Sequence, residues 1–230
     1  MADALPWPGV LVPASESWSP RGGTRSGGQT FLGTEQIVAS PSARWKATLS
    51  IPCMRRDAVL AMRRVVAFGR TQTWLVGPRE NTRAPWNIDF VGGRITYGWA
   101  ERRPDIYVGD QTATLAFRLS GPAAMNAATI AIRRERGGVL EPGMVFSIDG
   151  RLHTIVDLVG ETGMPGSQGA RGTILTAAIR PWLRADYDDG TAIEFGRPLG
   201  TMRLATDDTG AMEQQLSQFG TVSLDLVEAF

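Results

Sequence analysis

A few short stretches hold residue types that could do chemistry. Asp208-Thr209-Gly210 spells the D-T-G of aspartic proteases. That chemistry needs two such loops, whose carboxylates share a proton. The chain has one copy, preceded by Asp207 and without the hydrophobic strand that the loop follows, so a turn is the stronger reading. Asp186-Tyr187-Asp188-Asp189-Gly190 suggests a calcium loop, but its acids do not alternate, and Gly196 stands where the closing Glu should be. A hairpin turn at Asp189-Gly190 fits better. His153 lies in the apolar run Leu152 to Val159, with no second His or acid at ligand spacing, and reads as a half-buried sheet residue. Cys53 stands at an expected helix N-terminus, where a thiol pKa can fall, yet no His is placed beside it as a base. A buried structural thiol follows. One Cys and one His cannot by themselves make a zinc site. The chain contains no G-x-x-x-x-G-K-[ST] and no G-x-S-x-G. No cofactor site is expected.

The remaining chemistry is charge. Arg55, Arg56, Arg63 and Arg64 share one side of an expected helix over 54–68, interleaved with Val59 and Leu60. A phosphate-binding face would be polar throughout. Two branched aliphatic residues among the arginines point instead to a contact with another protein chain. The Gly-Arg stretch 21–28 resembles an RGG tract, but a single copy reads as a mobile loop.

These residues need elements to hold them. Arg44 to Ile51 alternates, with Trp45, Ala47, Leu49 and Ile51 on one face, as a half-buried strand does. After Pro52 the period becomes helical, and Met54, Ala58, Ala61, Met62 and Val65 form the expected buried stripe. Gly69 marks the helix end and Thr71 to Val76 the next strand. Residues 1–29 read as irregular, and Trp7 and Trp18 there suggest packing against something outside the domain. Phe31 to Val38 reads as a strand. Trp86 to Phe90 and Ile95 to Trp99 read as a hairpin about Gly92-Gly93. Thr112 to Leu119 alternates. From residue 122 to 200, five short strands with Gly turns suggest a small SH3- or OB-like barrel, with Asp149-Gly150 as its clearest hairpin signal and a long tip over 160–172. Met202 to Leu204 and Thr221 to Val227 are strands again. The expected fold is mainly β with one principal helix. A β-sandwich or split-barrel domain over 1–121, completed by 201–230, carries a small barrel over 122–200.

Composition narrows the function classes. Net charge is +1 over 230 residues, so no global field favours nucleic acid or an anionic membrane. Lys46 is the only lysine and Cys53 the only cysteine, which excludes an internal disulfide. No run of apolar residues approaches a membrane span, and no signal-peptide pattern opens the chain, so a soluble protein made in a reducing cytoplasm is expected.

The order of these features resembles the distal tail protein and related tail-tip ring proteins of long-tailed bacteriophages and gene-transfer agents. The resemblance rests on RWKATLSIP with its arginine-rich helix and GRTQTWLV, on LEPGMVFSIDGRLHTIVDLV followed by GTILTAAIRPWLR and DDGTAIEF, and on the terminal GTVSLDLVEAF. It implies a sandwich-plus-helix ring fold and a small barrel. It also implies a structural, non-enzymatic virion protein, with copies in a ring, usually hexameric, that joins the tail tube to the hub or baseplate. No active site, cofactor, nucleic-acid contact or membrane contact comes with it. The expected interface residues are Arg55, Arg56, Val59, Leu60, Arg63, Arg64, Trp7 and Trp18. Two other readings stay open: another tail component, such as a hub or completion protein, or a hydrolase or carbohydrate-binding module using Asp186, Asp188, Asp189 and Trp182.

Overall fold

A computed structural model describes residues 3–29, 31, 33–79, 85, 88–91, 94–97, 115–136, 139–162, 173–210 and 220–229. Among the described residues the protein is mainly β with one α-helix, and its contacts divide it into two units. Unit 1 is Met1–Pro78 with Leu199–Phe230, and unit 2 is Arg79–Pro198.

Unit 1 is built on a six-stranded sheet. Its strands are β1 (Leu5–Pro6), β2 (Ser15–Arg21), β5 (Arg44–Cys53), β6 (Trp74–Val76), β15 (Gly200–Leu204) and β16 (Gly220–Glu228), in the order β1-β6-β15-β16-β5-β2. The alternation of β5 decides which face is dry. Trp45, Ala47, Leu49, Ile51 and Cys53 are buried, and their antiparallel partners on β16, Val222, Leu224 and Leu226, lie on the same face. The opposite face is polar, and there the Thr48 hydroxyl donates to Asp225 at 2.7 Å.

Helix α1 (Arg56–Phe68) covers part of the dry face and buries Ala58, Met62 and Val65. Burial of those three side chains contributes about 5 kcal/mol gross. Met54 does not join them. It precedes the helix and is 53% exposed, because helical spacing has no meaning outside helical backbone. The helix ends on Gly69 at φ 56°, whose N–H donates to the Val66 carbonyl, and the Thr71 hydroxyl takes up the Phe68 carbonyl at 2.6 Å.

Much of residues 3–29 is strand rather than irregular. β1 runs parallel to β6, and β2 pairs along β5 from Ser15↔Ser50 to Arg21↔Arg44. Pro, Ser and Gly hide these strands from composition, but an edge strand needs only one apolar face and tolerates proline. Glu16, Trp18 and Pro20 form that face of β2, opposite Leu49, Ala47 and Trp45.

The Gly-Arg stretch is also strand. β3 (Thr24–Gln29) pairs antiparallel with β4 (Glu35–Ala39) in a separate two-stranded ribbon. The Ser40 N–H donates to the Gly23 carbonyl at its base. Every residue of both strands is exposed, Ile37 and Val38 included, and Phe31 beyond them is fully exposed.

Unit 2 contains a six-stranded sheet of β9 (Ala116–Leu119), β10 (Thr129–Arg136), β11 (Val145–Ile148), β12 (Arg151–Thr162), β13 (Ile174–Arg180) and β14 (Ala192–Ile193), ordered β11-β12-β13-β10-β9-β14. An antiparallel bridge between Ser147 and Glu194 ties β11 to the end of β14 and nearly closes a barrel. Asp149-Gly150 joins β11 to β12 with both residues at positive φ, 45° and 70°, as a two-residue hairpin turn requires. The interior holds Phe117, Phe146 and Phe195, with ring centroids 4.8 Å apart for Phe117–Phe195 and 5.1 Å for Phe146–Phe195. A separate hairpin pairs β7 (Ile88–Val91) with β8 (Arg94–Tyr97).

The division between units falls at Pro78/Arg79 rather than at 121/122, and returns at Pro198/Leu199. The physical reason is β9, which pairs with both β10 and β14 and so belongs to the barrel. Most of the expected 160–172 tip lies outside the described residues, while β12 extends through Thr162. Among the described residues, no helix is long and apolar enough to cross a membrane.

Candidate functional site

Among the described residues, the outer face of α1 gathers exposed arginines beside aliphatic side chains. Three buried residues fix the helix rotation, and at 100° per residue Arg56, Leu60, Arg63 and Ala67 then point away from the sheet. Arg55, Arg56, Arg63 and Arg64 are exposed, Leu60 is 48% exposed, and Val59 is half-buried at the edge of the face. Arg55 forms a two-pronged contact with Asp57, with Nη2 2.7 Å from Oδ2. That hydrogen bond holds the Asp57 carboxyl below its usual range and the Arg55 guanidinium above its own. Asp57 also sits in the first helical turn, where a negative charge meets the positive end of the helix dipole. Its charge is therefore committed. Among the described residues, Arg56, Arg63, Arg64 and Arg70 make no ion pair. Arg64 instead lies over the half-exposed ring of Phe68, 5.6 Å from its centroid.

Trp7 and Trp18 do not join that face. The Trp7 indole donates to the Leu11 carbonyl at 3.0 Å and meets Trp74 edge-on at 5.9 Å. Trp74 is itself buried and takes the Phe68 ring on another edge, also at 5.9 Å. Trp18 sits half-buried on the dry face of edge strand β2, opposite Ala47. Both tryptophans are thus built into the packing of unit 1. Aromatic content alone could not tell an anchor within the sheet from an outward contact.

The stretches weighed for catalysis have structural work. In Asp208-Thr209-Gly210, the Thr209 hydroxyl accepts the Asp225 N–H at 2.8 Å, and the Gly210 N–H reaches the Ser223 carbonyl at 3.2 Å. The tripeptide is a turn pinned to β16. Gly210 has φ 89°, and a β-carbon there would stand 2.7 Å from both Leu224 Cδ2 and Val66 Cγ2. Glycine is required because helix, turn and strand meet there with no room between them.

In the 186–190 stretch, Asp186 accepts the Met125 N–H and Asp189 the Gly121 N–H, each at 2.7 Å. Asp189-Gly190 is a turn, but its flanks pair elsewhere, Tyr187 with Ala123 and Ala192 with Arg118. Among the described residues these acids belong to no group arranged to hold a metal ion. Trp182 lies under Arg180, whose guanidinium carbon is 5.4 Å from the ring centroid.

His153 is buried rather than half-buried, stacked on Phe146 with its Nδ1 2.8 Å from the Pro181 carbonyl. Burial, with Arg184 and Arg151 nearby, lowers its pKa to about 4, so the ring is neutral and Nδ1 carries the donated proton. Cys53 is buried at the end of β5, and burial pushes its thiol pKa up, the reverse of a nucleophile's environment. Among the described residues, no group of three or more His, Cys, Asp and Glu is arranged to hold a metal ion.

No protein-family model matches the chain, and no curated protein matches it.

Proposed function

We propose that this chain is a structural subunit of a bacteriophage-like tail tip, a distal tail protein whose copies close a ring between the tail tube and the hub. The observation that carries the reading is the outer face of α1, with aliphatic Leu60 among arginines that make no ion pair within the described chain. Such a mixture suits an interface rim and core better than a surface meant only for water. A ring also needs two different surfaces that fit head to tail, and a barrel inserted into a sheet-and-helix unit supplies two unlike bodies on one chain.

Light scattering after size-exclusion chromatography, with negative-stain imaging of the same fractions, tests the proposal. The expected result is a discrete closed ring, formed alone or on addition of tail-tube protein. A chain that stays monomeric at high concentration and ignores tube and hub proteins would refute it. Labelling of the intact particle would then place the protein at the tail tip or elsewhere on the virion.

A further inference from the structure

Charge is distributed unevenly along the chain. Residues 55–70 carry five arginines and one aspartate, a local charge of +4, in a chain whose total is +1, so the other residues sum to −3. The single acid of that stretch is held by Arg55. Four cations remain for a partner, gathered about Leu60 and Phe68, which are 48% and 37% exposed.

The Asp186–Gly190 turn of unit 2 has the opposite character. Asp186, Asp188 and Asp189 are exposed and make no ion pair among the described residues. Asp186 and Asp189 each spend one carboxylate oxygen on a backbone N–H, which fixes their direction and leaves the charge in place. The neighbouring cation, Arg118, is already occupied by the Gly190 carbonyl and Glu135. Beside the acids stands an apolar residue, Met125, 56% exposed and tied through its N–H to Asp186. The turn therefore presents exposed acids next to a residue with an exposed thioether, where the helix presents arginines with an exposed leucine and phenylalanine.

We infer that the outer face of α1 docks on the Asp186–Gly190 turn of a second copy of this chain. The two patches differ, so the contact is heterologous and repeats from copy to copy. Leu60 and Phe68 meet Met125 at the centre, while Arg56, Arg63 and Arg64 face Asp186, Asp188 and Asp189 at the rim. The inference rests on the self-assembly proposed above and names the surfaces that carry it.

A charge exchange tests this on the full-length chain by sedimentation velocity. Variant one is Arg56→Glu with Arg63→Glu, and variant two is Asp188→Arg. All three sites are exposed, and Asp188 is chosen because, unlike those of Asp186 and Asp189, its carboxylate holds no backbone N–H among the described residues. Unchanged thermal melting verifies the fold. Each variant alone should associate at least about tenfold more weakly than the parent, because like charges now meet. Mixed one to one, they should associate again, since the arginine introduced at 188 then meets the glutamates introduced at 56 and 63 of the other chain. Parental association should also weaken as salt is raised, as the screening length shrinks from about 10 Å at 0.1 M to about 3 Å at 1 M.

If the parent assembles but the variants assemble equally well, or the mixture fails to recover, this contact is wrong while the ring proposal stands. If the parent is monomeric under every condition, both fall. If the parent binds a DNA duplex and only variant one loses that binding, with self-association unchanged, the face belongs to nucleic acid and the inference is overturned.

Discussion

Replacing Gly210 with alanine should cost unit 1 much of its stability. Two terms contribute. At φ 89° any L-residue is strained, by about 1–2 kcal/mol in the left-handed region. The added methyl would also stand 2.7 Å from Val66 Cγ2 and from Leu224 Cδ2. One neighbour is anchored in a helix and the other in the strand beneath it, so relief requires moving the helix off the sheet. Overpacking of that kind costs about 1–3 kcal/mol. Together the loss is about 2–5 kcal/mol, or roughly 8–20 °C at the 4 °C per kcal/mol typical of about 100 residues. Gly22→Ala is the internal control. It has a similar φ of 77°, but its nearest neighbour would be the Ser42 carbonyl oxygen at 3.8 Å. It should show the strain term alone. Urea titration and thermal melting of both variants isolate the steric term by difference, and Val66→Ala in the Gly210→Ala background should recover part of it. Equal losses in Gly210→Ala and Gly22→Ala would show that helix and turn are not wedged together.

Other perturbations reach the rest of the molecule. Val65→Asp places an unpaired charge under α1 and should abolish cooperative unfolding of unit 1; an unchanged melt would mean the buried face is assigned wrongly. His153 has a folded pKa near 4 against 6.5 for the free side chain, so the unfolded chain takes up the proton first. Stability should be full above about pH 6.5 and fall as pH drops toward 4, by about 3 kcal/mol at most. His153→Leu should flatten that dependence in urea titrations at pH 7 and 4.5, and identical losses in parent and variant would exonerate the histidine. Replacing residues 24–39 by a two-residue Asn-Gly turn should leave the unit 1 melt within about 1 kcal/mol, because all of β3 and β4 is exposed. A larger loss would show that the ribbon supports the sheet.

The elements legible in the sequence are those in which one local rule settled the outcome. β5 alternates cleanly because it is central and half-buried along its whole length. Asp149-Gly150 is unmistakable because few residue pairs accept two positive φ angles. The buried stripe of α1 is legible at Ala58, Met62 and Val65, loosens at Ala61, which is only half-buried, and fails at Met54, where the backbone is no longer helical. β2 was missed because an edge strand of Ser, Glu and Pro carries little apolar signal and is held by its pairing with β5. The unit boundary was misplaced because the turn residues at 120–122 mark a bend inside the barrel, and only the pairing of β9 reveals which side they belong to. At the candidate site, arginines with Val59 and Leu60 on one helix were visible as a pattern. That Trp7 and Trp18 face inward was not, because indoles serve buried and outward contacts equally well.

The placement of β16 has a consequence in time. It lies between β15 and β5 at the centre of the unit 1 sheet, and the bond from Trp45 N–H to the Glu228 carboxylate spans 183 residues of chain. At about 5–20 residues per second, roughly 10–40 s of translation separate the two partners. During that interval the apolar face of β5 has left the ribosome without its principal neighbour. The barrel, drawn wholly from residues between them, can close first. Nascent chains arrested just after the barrel should therefore yield a protease-resistant unit 2 with unit 1 still cleavable, and chaperone demand should concentrate on that window.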